Sequence, residues 1–359
     1  MMSDDDGLFG PGSATWHLMG EPILWVAGIR ALYLQALHPR TMRGTWQNSA
    51  LVHRHEAWAR FVRTTEFVRI RTYGSTAEAE RIGRRVRKIH ATLTGVDADG
   101  TEFRLDEPEQ LLWVHCAEVE SYVDICRRCG MDAPPDRLDE FVDEQRRSAA
   151  LVGLDPQAVP GSVAELDAYY DETRRRARAC DEARMSLRMS FNPPFPPALV
   201  PLKLVTPALN ILAFAALPRW ARKLYGAPGS AVTDRATTVA LRGLYQATRL
   251  APARLRYTPT VRQARQIVRE YERQQASDAW PPADDQDAHA RLGPARSPQP
   301  SLAGAESVSE RPGPLRVNQR AGRNRSNGHE GNVAARTELA ARVPGGGGGA
   351  ARRHRGDPP

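Results

Sequence analysis

From Trp16 to about Gln275, apolar and charged residues alternate at the spacing of an α-helix, and β-branched runs suited to buried strands are scarce. This periodicity predicts an all-α fold, a bundle of about ten helices. The helices are expected over 21–37, 57–72, 76–94, 107–129, 137–152, 163–180, 200–217, 218–225, 231–250 and 260–275. Start and stop signals mark their ends. Glu78 and Glu80 acidify the turn after Thr76, Pro108 sits just inside a start, and Gly95 follows a last turn. A chain of 359 residues can bury a core that needs no staples.

Composition changes after Gln275. Residues 276–359 are rich in Pro, Gly, Ala and Arg and poor in large apolar side chains, so burial cannot offset chain entropy and a disordered tail is expected. Residues 1–15 read as a flexible leader, which leaves 16–275 as the single folded domain. Residues 1–275 carry 38 basic and 33 acidic side chains, against 12 and 9 beyond them. The folded part is thus only mildly basic and lacks the dense basic stripe with interleaved aromatics that nucleic acid demands; no nucleic-acid partner is expected. Four cysteines and an acidic opening, MMSDDDGLFG, favour a reducing, cytoplasmic location. The most apolar run, LVTPALNILAFAAL (204–217), falls short of the ~18–20 residues of a membrane span and is interrupted by Pro207 and Asn210. It reads as a buried helix, with a pocket wall or a peripheral membrane contact as the open alternatives.

Several stretches could carry chemistry. In RRVRKIHATLTG (84–95), Ile82, Val86, Ile89 and Leu93 form an apolar stripe with His90 beside it. Such an imidazole is either a core residue bonded to a backbone carbonyl or a ligand. No HExxH or CxxCH occurs, and the one CxxC (Cys126, Cys129) is followed by Gly130. His38 precedes Pro39 at a helix end, where an imidazolium can cap carbonyls. His115 lies in LLWVHCAEVESYVDIC near Glu118 and Glu120, and reads as a core histidine bonded to a carboxylate. In EAWARFVRTTEFVRIRTYG (56–74), Trp58, Phe61, Val62, Thr65 and Val68 form an apolar band. Arg60, Arg63, Thr64 and Phe67 share a second face. That second face is either solvated or built to grip carboxylates, with the Thr64 hydroxyl available to a ligand.

Five segments in order, LYLQALHPRTMRGTWQNS (33–49), RFVRTTEFVRIRTYG (60–74), VRKIHATLTG (86–95), LLWVHCAEVES (111–121) and LPRWARKLYG (217–226), resemble motifs of one family. It contains latex-clearing protein (rubber oxygenase) and the MpaB-type oxygenases. The resemblance implies helices around a non-covalent haem b and oxidative cleavage of isoprenoid double bonds with O2. His90 matches the proximal iron ligand, Arg60 and Thr64 match distal residues, and His115 falls among the cofactor-binding positions. Two departures stand out. Arg63 replaces a lysine and has no lone pair to give to iron. No Asp or Glu lies between Glu21 and Glu56, where rubber oxygenases carry a candidate base, so His38 or His53 is left to take a proton. Asn48 stands where many relatives have histidine. The expectation is a haem b-dependent oxygenase acting with O2 on a small hydrophobic, isoprenoid- or lipid-like substrate; the oligomeric state is left open. The alternative is a haem-free helical protein that binds a lipid or a partner, with His90 in a filled core.

Overall fold

The computed structural model describes residues 5–49, 54–191 and 203–278, without the side chains of 54–58 and 277–278. The expected tail beyond 278 and His53 lie outside the described residues. The fold is all-α apart from one short hairpin. In chain order the elements are α1 (Ala14–Met19), α2 (Leu24–Gln35), α3 (Pro39–Asn48), α4 (Arg54–Tyr73) and α5 (Thr76–His90). The hairpin β1 (Thr94–Val96) and β2 (Glu102–Arg104) follows, antiparallel, with Gly95 opposite Phe103. Then come α6 (Pro108–Cys129), α7 (Pro135–Val152), α8 (Val163–Thr173), α9 (Asp181–Ser190), α10 (Thr206–Ala216), α11 (Arg219–Leu224), α12 (Ala231–Leu250), α13 (Ala253–Arg256) and α14 (Pro259–Asp278).

The core is built on α2 and α6, with α7, α10 and α12 around them. Val26, Ala27 and Leu34 of α2 meet Trp113, Cys116 and Ala117 of α6, while Phe141, Ala213 and Leu241 close the sides. The apolar run 204–217 forms α10 inside this layer. Asn210, which interrupts it, is buried and satisfied: its amide donates to the Ser190 and Thr206 carbonyls, and its oxygen accepts from Tyr33. One charge crosses the core as well. Arg30, 1 % exposed, donates to both Glu120 carboxylate oxygens, to Ser121 Oγ (2.7 Å) and to the Ala216 carbonyl (3.1 Å).

The structure corrects four readings. First, residues 5–13 of the expected leader are docked, because they satisfy donors at helix ends. Asp5 accepts from the Thr76 amide and hydroxyl at the start of α5, and Ser13 caps α1. Second, α5 stops at His90 rather than residue 94. Gly95 is a strand residue: a Cβ there would lie 2.5 Å from the Phe103 ring, so only glycine allows the ring to cover the strand. Third, α1, α3, α9 and α13 lie outside the expected helices; α1 and α13 are less than two turns long, and α3 and α9 carry few apolar residues to betray a period. Fourth, the stripe Ile82–Val86–Ile89–Leu93 is not a core face. The buried residues of α5 are Ala79 and Gly83, and α5 packs there against α7.

Gly83 sets that approach. A Cβ on it would stand 2.8 Å from the Leu151 carbonyl oxygen, a backbone atom that cannot swing aside. Gly83→Val is expected to destabilise the fold by about 1–3 kcal/mol through overpacking, read as a lowered urea midpoint at unchanged slope.

Candidate functional site

α4 stands apart from the central layer. It packs on α1, α5 and α14, reaches α6 through the Arg71–Glu118 ion pair, and touches α2 where the Phe61 ring lies 6.2 Å from Trp25. The apolar band of α4 therefore does not enter the core: Phe61 and Val62 are 37 % and 44 % exposed. The facing residues of α2 are open too. Trp25 and Leu32 are about half exposed, and a Cβ on Gly28, between them on the same face, would meet nothing within 4 Å. Ile89 of α5 is likewise 46 % exposed. These side chains present apolar surface on α2, α4 and α5 that no described residue covers.

His90 sits at this place as the last residue of α5, a helix started by a capping box between Ser75 and Glu78. Its Nδ1 is buried and has no hydrogen-bond partner. The carbonyl or carboxylate expected to hold the ring is thus not among the described residues. A helix C-terminus favours an imidazolium. Burial and the nearby Arg60 charge nevertheless outweigh it and hold the His90 pKa below the usual histidine value, with Asp106 opposing weakly. His90 is neutral at physiological pH and keeps a free lone pair.

Arg60 donates to Ser49 Oγ. Its surface is accessible, yet burial is the first cause of a lowered pKa, followed by the charge of Arg63. Arg63 is exposed and has no carboxylate partner among the described residues. The Thr64 hydroxyl donates to the Arg60 carbonyl (3.1 Å) and keeps its lone pairs free. Arg60, Thr64, Phe67 and Arg71 run as one stripe along α4, at spacings of four, three and four residues. His90 lies within the field of the first, and His115 within that of the last. The two ends are about 16 Å apart along the helix axis.

His115 differs from its expected state. Glu118 is engaged by Arg71 and Glu120 by Arg30, so the carboxylates flanking His115 in sequence are already bound to arginines. Burial first, and then the Arg71 charge, push its pKa down to about 3. The unfolded chain therefore binds one more proton than the folded chain between pH 6.5 and about 3. Stability from this residue is complete above pH 6.5 and falls as pH drops through that window, at about 1.4 kcal/mol per pH unit. A His115→Asn variant should show a flatter decline in urea midpoint from pH 7 to pH 5 than the native chain. His38 and His90, shifted in the same direction, add to the decline.

His38 serves the chain differently from the expected capping of carbonyls. Its Nδ1 accepts from the Thr41 amide (3.2 Å), so it caps the N-terminus of α3 as a neutral imidazole, and burial lowers its pKa accordingly. Its ring lies 6.0 Å from Trp113. No described contact joins it to Arg60, Thr64 or His90.

A separate cleft of about 500 Å³ is bordered by Arg30, Glu120, Asp124, Tyr170 and Trp220. None of Arg60, Thr64, His90 or His115 lines it. Cys126 and Cys129 are buried free thiols. Among the described residues no three His, Cys, Asp or Glu side chains are arranged to hold a metal ion.

Sequence reasoning missed Trp25 as the ring beside Phe61, Ser49 as the acceptor for Arg60, and the open face of α2 at Gly28. A glycine inside the apolar run LWVAGIRALYLQ was the one available sign.

Fold and site together define an all-α protein in which the unpartnered Nδ1 of His90 lies within the field of Arg60, with exposed apolar side chains on α2, α4 and α5. The family model described as ER-bound oxygenase mpaB/B'/rubber oxygenase, catalytic domain, matches residues 16–250. The chain belongs to this family of oxygenases. No curated relative and no solved structure matches it.

Proposed function

We propose that the chain is a haem b-dependent oxygenase that uses O2 on a hydrophobic, isoprenoid- or lipid-like substrate. The observation that carries this reading is the unpartnered Nδ1 of His90, next to Ile89, one of several exposed apolar side chains on α2, α4 and α5. A buried ring nitrogen without a partner costs about 1–3 kcal/mol unless something binds the ring. The residues present fit the group: a single imidazole for iron, two uncompensated guanidinium groups for propionate carboxylates, and apolar walls for a porphyrin. Haem b, when bound, supplies iron that binds and activates O2.

The chain's own contributions follow from its chemistry. His90 ligates as the neutral form that its surroundings already select, so no proton need be removed first. Arg60 and Arg63 provide positive charge and fork-like donors for carboxylates, and neither can act as an iron ligand. Thr64 turns its hydroxyl from the Arg60 carbonyl to donate to a small polar ligand. Trp25, Leu32, Phe61 and Ile89 present the apolar surface that a hydrophobic substrate needs, and they exclude water around the reacting end.

The test is direct. Protein purified after haem-replete expression should show a Soret band and a pyridine haemochrome spectrum of b type near one haem per chain. No haem absorbance after such expression would sink the reading and leave a haem-free binding protein.

A further inference from the structure

We propose that the outer face of α12, with α13, docks on an anionic lipid surface. Between Asp234 and Glu270 the sequence holds eight arginines and no aspartate or glutamate. Elsewhere several helix arginines find acids one turn away, as in Arg69–Glu66, Arg84–Glu80, Arg137–Glu140 and Arg174–Asp171. In this stretch Arg256 and Arg265 bind Glu21, and the one acid of α12, Asp234, is taken by Arg219 and Arg222. Arg235, Arg242, Arg249 and Arg254 are exposed without a carboxylate partner among the described residues.

The geometry sorts these charges. α12 buries Thr237, Leu241 and Tyr245. At 100° per residue, Val232, Ala236, Val239, Gly243 and Leu250 fall on the opposite side. All five are exposed, Val239 and Leu250 at 69 % and 87 %. Leu255 of α13 is 76 % exposed as well. A helix apolar on both faces is expected to be covered on both. Arg235, Arg242 and Arg249, each seven residues apart, line one flank of the outer face. Arg249 lies over the Tyr245 ring (5.7 Å) and Arg242 donates to the Arg128 carbonyl, so both are held along that flank.

Charge decides the occupant. A second copy would meet this face with the same face, and so with a second row of arginines and no acid. Nucleic acid would satisfy the arginines but gain nothing from valine and leucine, and no aromatic ring is exposed among them for base stacking. An anionic membrane satisfies both at once: aliphatic side chains enter the boundary between headgroups and acyl chains while the arginines meet phosphates. No helix among the described residues is long and apolar enough to cross a membrane, so contact through this face is interfacial. The surface lies on different elements from His90 and is independent of the haem reading.

The experiment is flotation of the full chain with phosphatidylcholine vesicles, with and without phosphatidylserine, at low and high salt. Binding is expected to the anionic vesicles alone and to weaken with salt. The triple variant Arg235→Gln/Arg242→Gln/Arg249→Gln should lower partitioning on the order of a hundredfold with an unchanged circular dichroism spectrum. Val239→Asp with Leu250→Asp should also weaken it, although every arginine remains. Three outcomes overturn the proposal: no binding to anionic vesicles, equal binding by the triple variant, or a preference for duplex DNA. A dimer that Val239→Asp dissociates would likewise assign the face to a second copy instead.

Discussion

Replacing His90 with alanine should remove bound haem from the chain. The ring that supplies the lone pair is gone, and among the described residues no second unpartnered histidine lies beside Arg60 to replace it. Outer-shell partners of a metal ligand are worth about 10- to 100-fold in affinity, so loss of the ligand itself should exceed about 100-fold. Purified His90→Ala would lack the Soret band while keeping its helical circular dichroism, because the side chain makes no hydrogen bond with the described residues. Imidazole added to the variant should restore haem absorbance by taking the vacated position. His38→Ala should keep the band and instead lose stability through the α3 cap, about 1 kcal/mol for a side-chain N-cap. A His90→Ala protein with the native spectrum would place the iron ligand elsewhere.

Arg30→Ala should be the most destabilising single change in the core. Burial opposes the Arg30 charge, but the carboxylates of Glu120 and Asp124 outweigh it and lift its pKa above the ordinary guanidinium value. Removing the guanidinium leaves the Glu120 carboxylate, itself 17 % exposed, facing apolar α2 with no counter-charge, and it strips a donor from the Ala216 carbonyl and from Ser121. Breaking a buried pair from one side costs about 3–5 kcal/mol, a large share of a typical domain's stability. Urea unfolding should show the midpoint fall by that free energy divided by the slope, at unchanged slope. The double variant Arg30→Met/Glu120→Leu should recover much of it, since an apolar pair of similar volume removes the stranded charge. If Arg30→Ala unfolded like the native chain, this pair would not tie α2 to α6.

Helical class and most long helices were legible because their signal is local. Apolar residues three and four apart on α6, α7 and α12 betray a period within one element, and Pro108 and Gly130 mark its ends. The misreadings share one cause. The stripe on α5 and the band on α4 have the same local pattern as a core face. Yet Ile89, Phe61 and Val62 border open space, and α5 is buried through Ala79 and Gly83 instead. Periodicity reports that a face is apolar, not whether another helix covers it. His38 was misread for a related reason: a histidine between two helices can cap either, and the tight turn into Pro39 chose the second.

The candidate site divides in the same way. By itself the sequence determined that the chain is helical and that its motifs follow the order of one oxygenase family, and it offered Arg60, Arg63, Thr64 and His90 as candidate site residues. Tertiary structure decided which of them meet. It set His90 against Arg60 and left its Nδ1 without a partner, placed His115 at the far end of the same α4 stripe, and turned His38 to capping. The reason is range. A helical period is written within about four residues, whereas Arg30–Glu120, Arg71–Glu118 and Trp25–Phe61 join residues 90, 47 and 36 positions apart. Only the packing of whole helices fixes such pairs, and with them the space they leave unfilled.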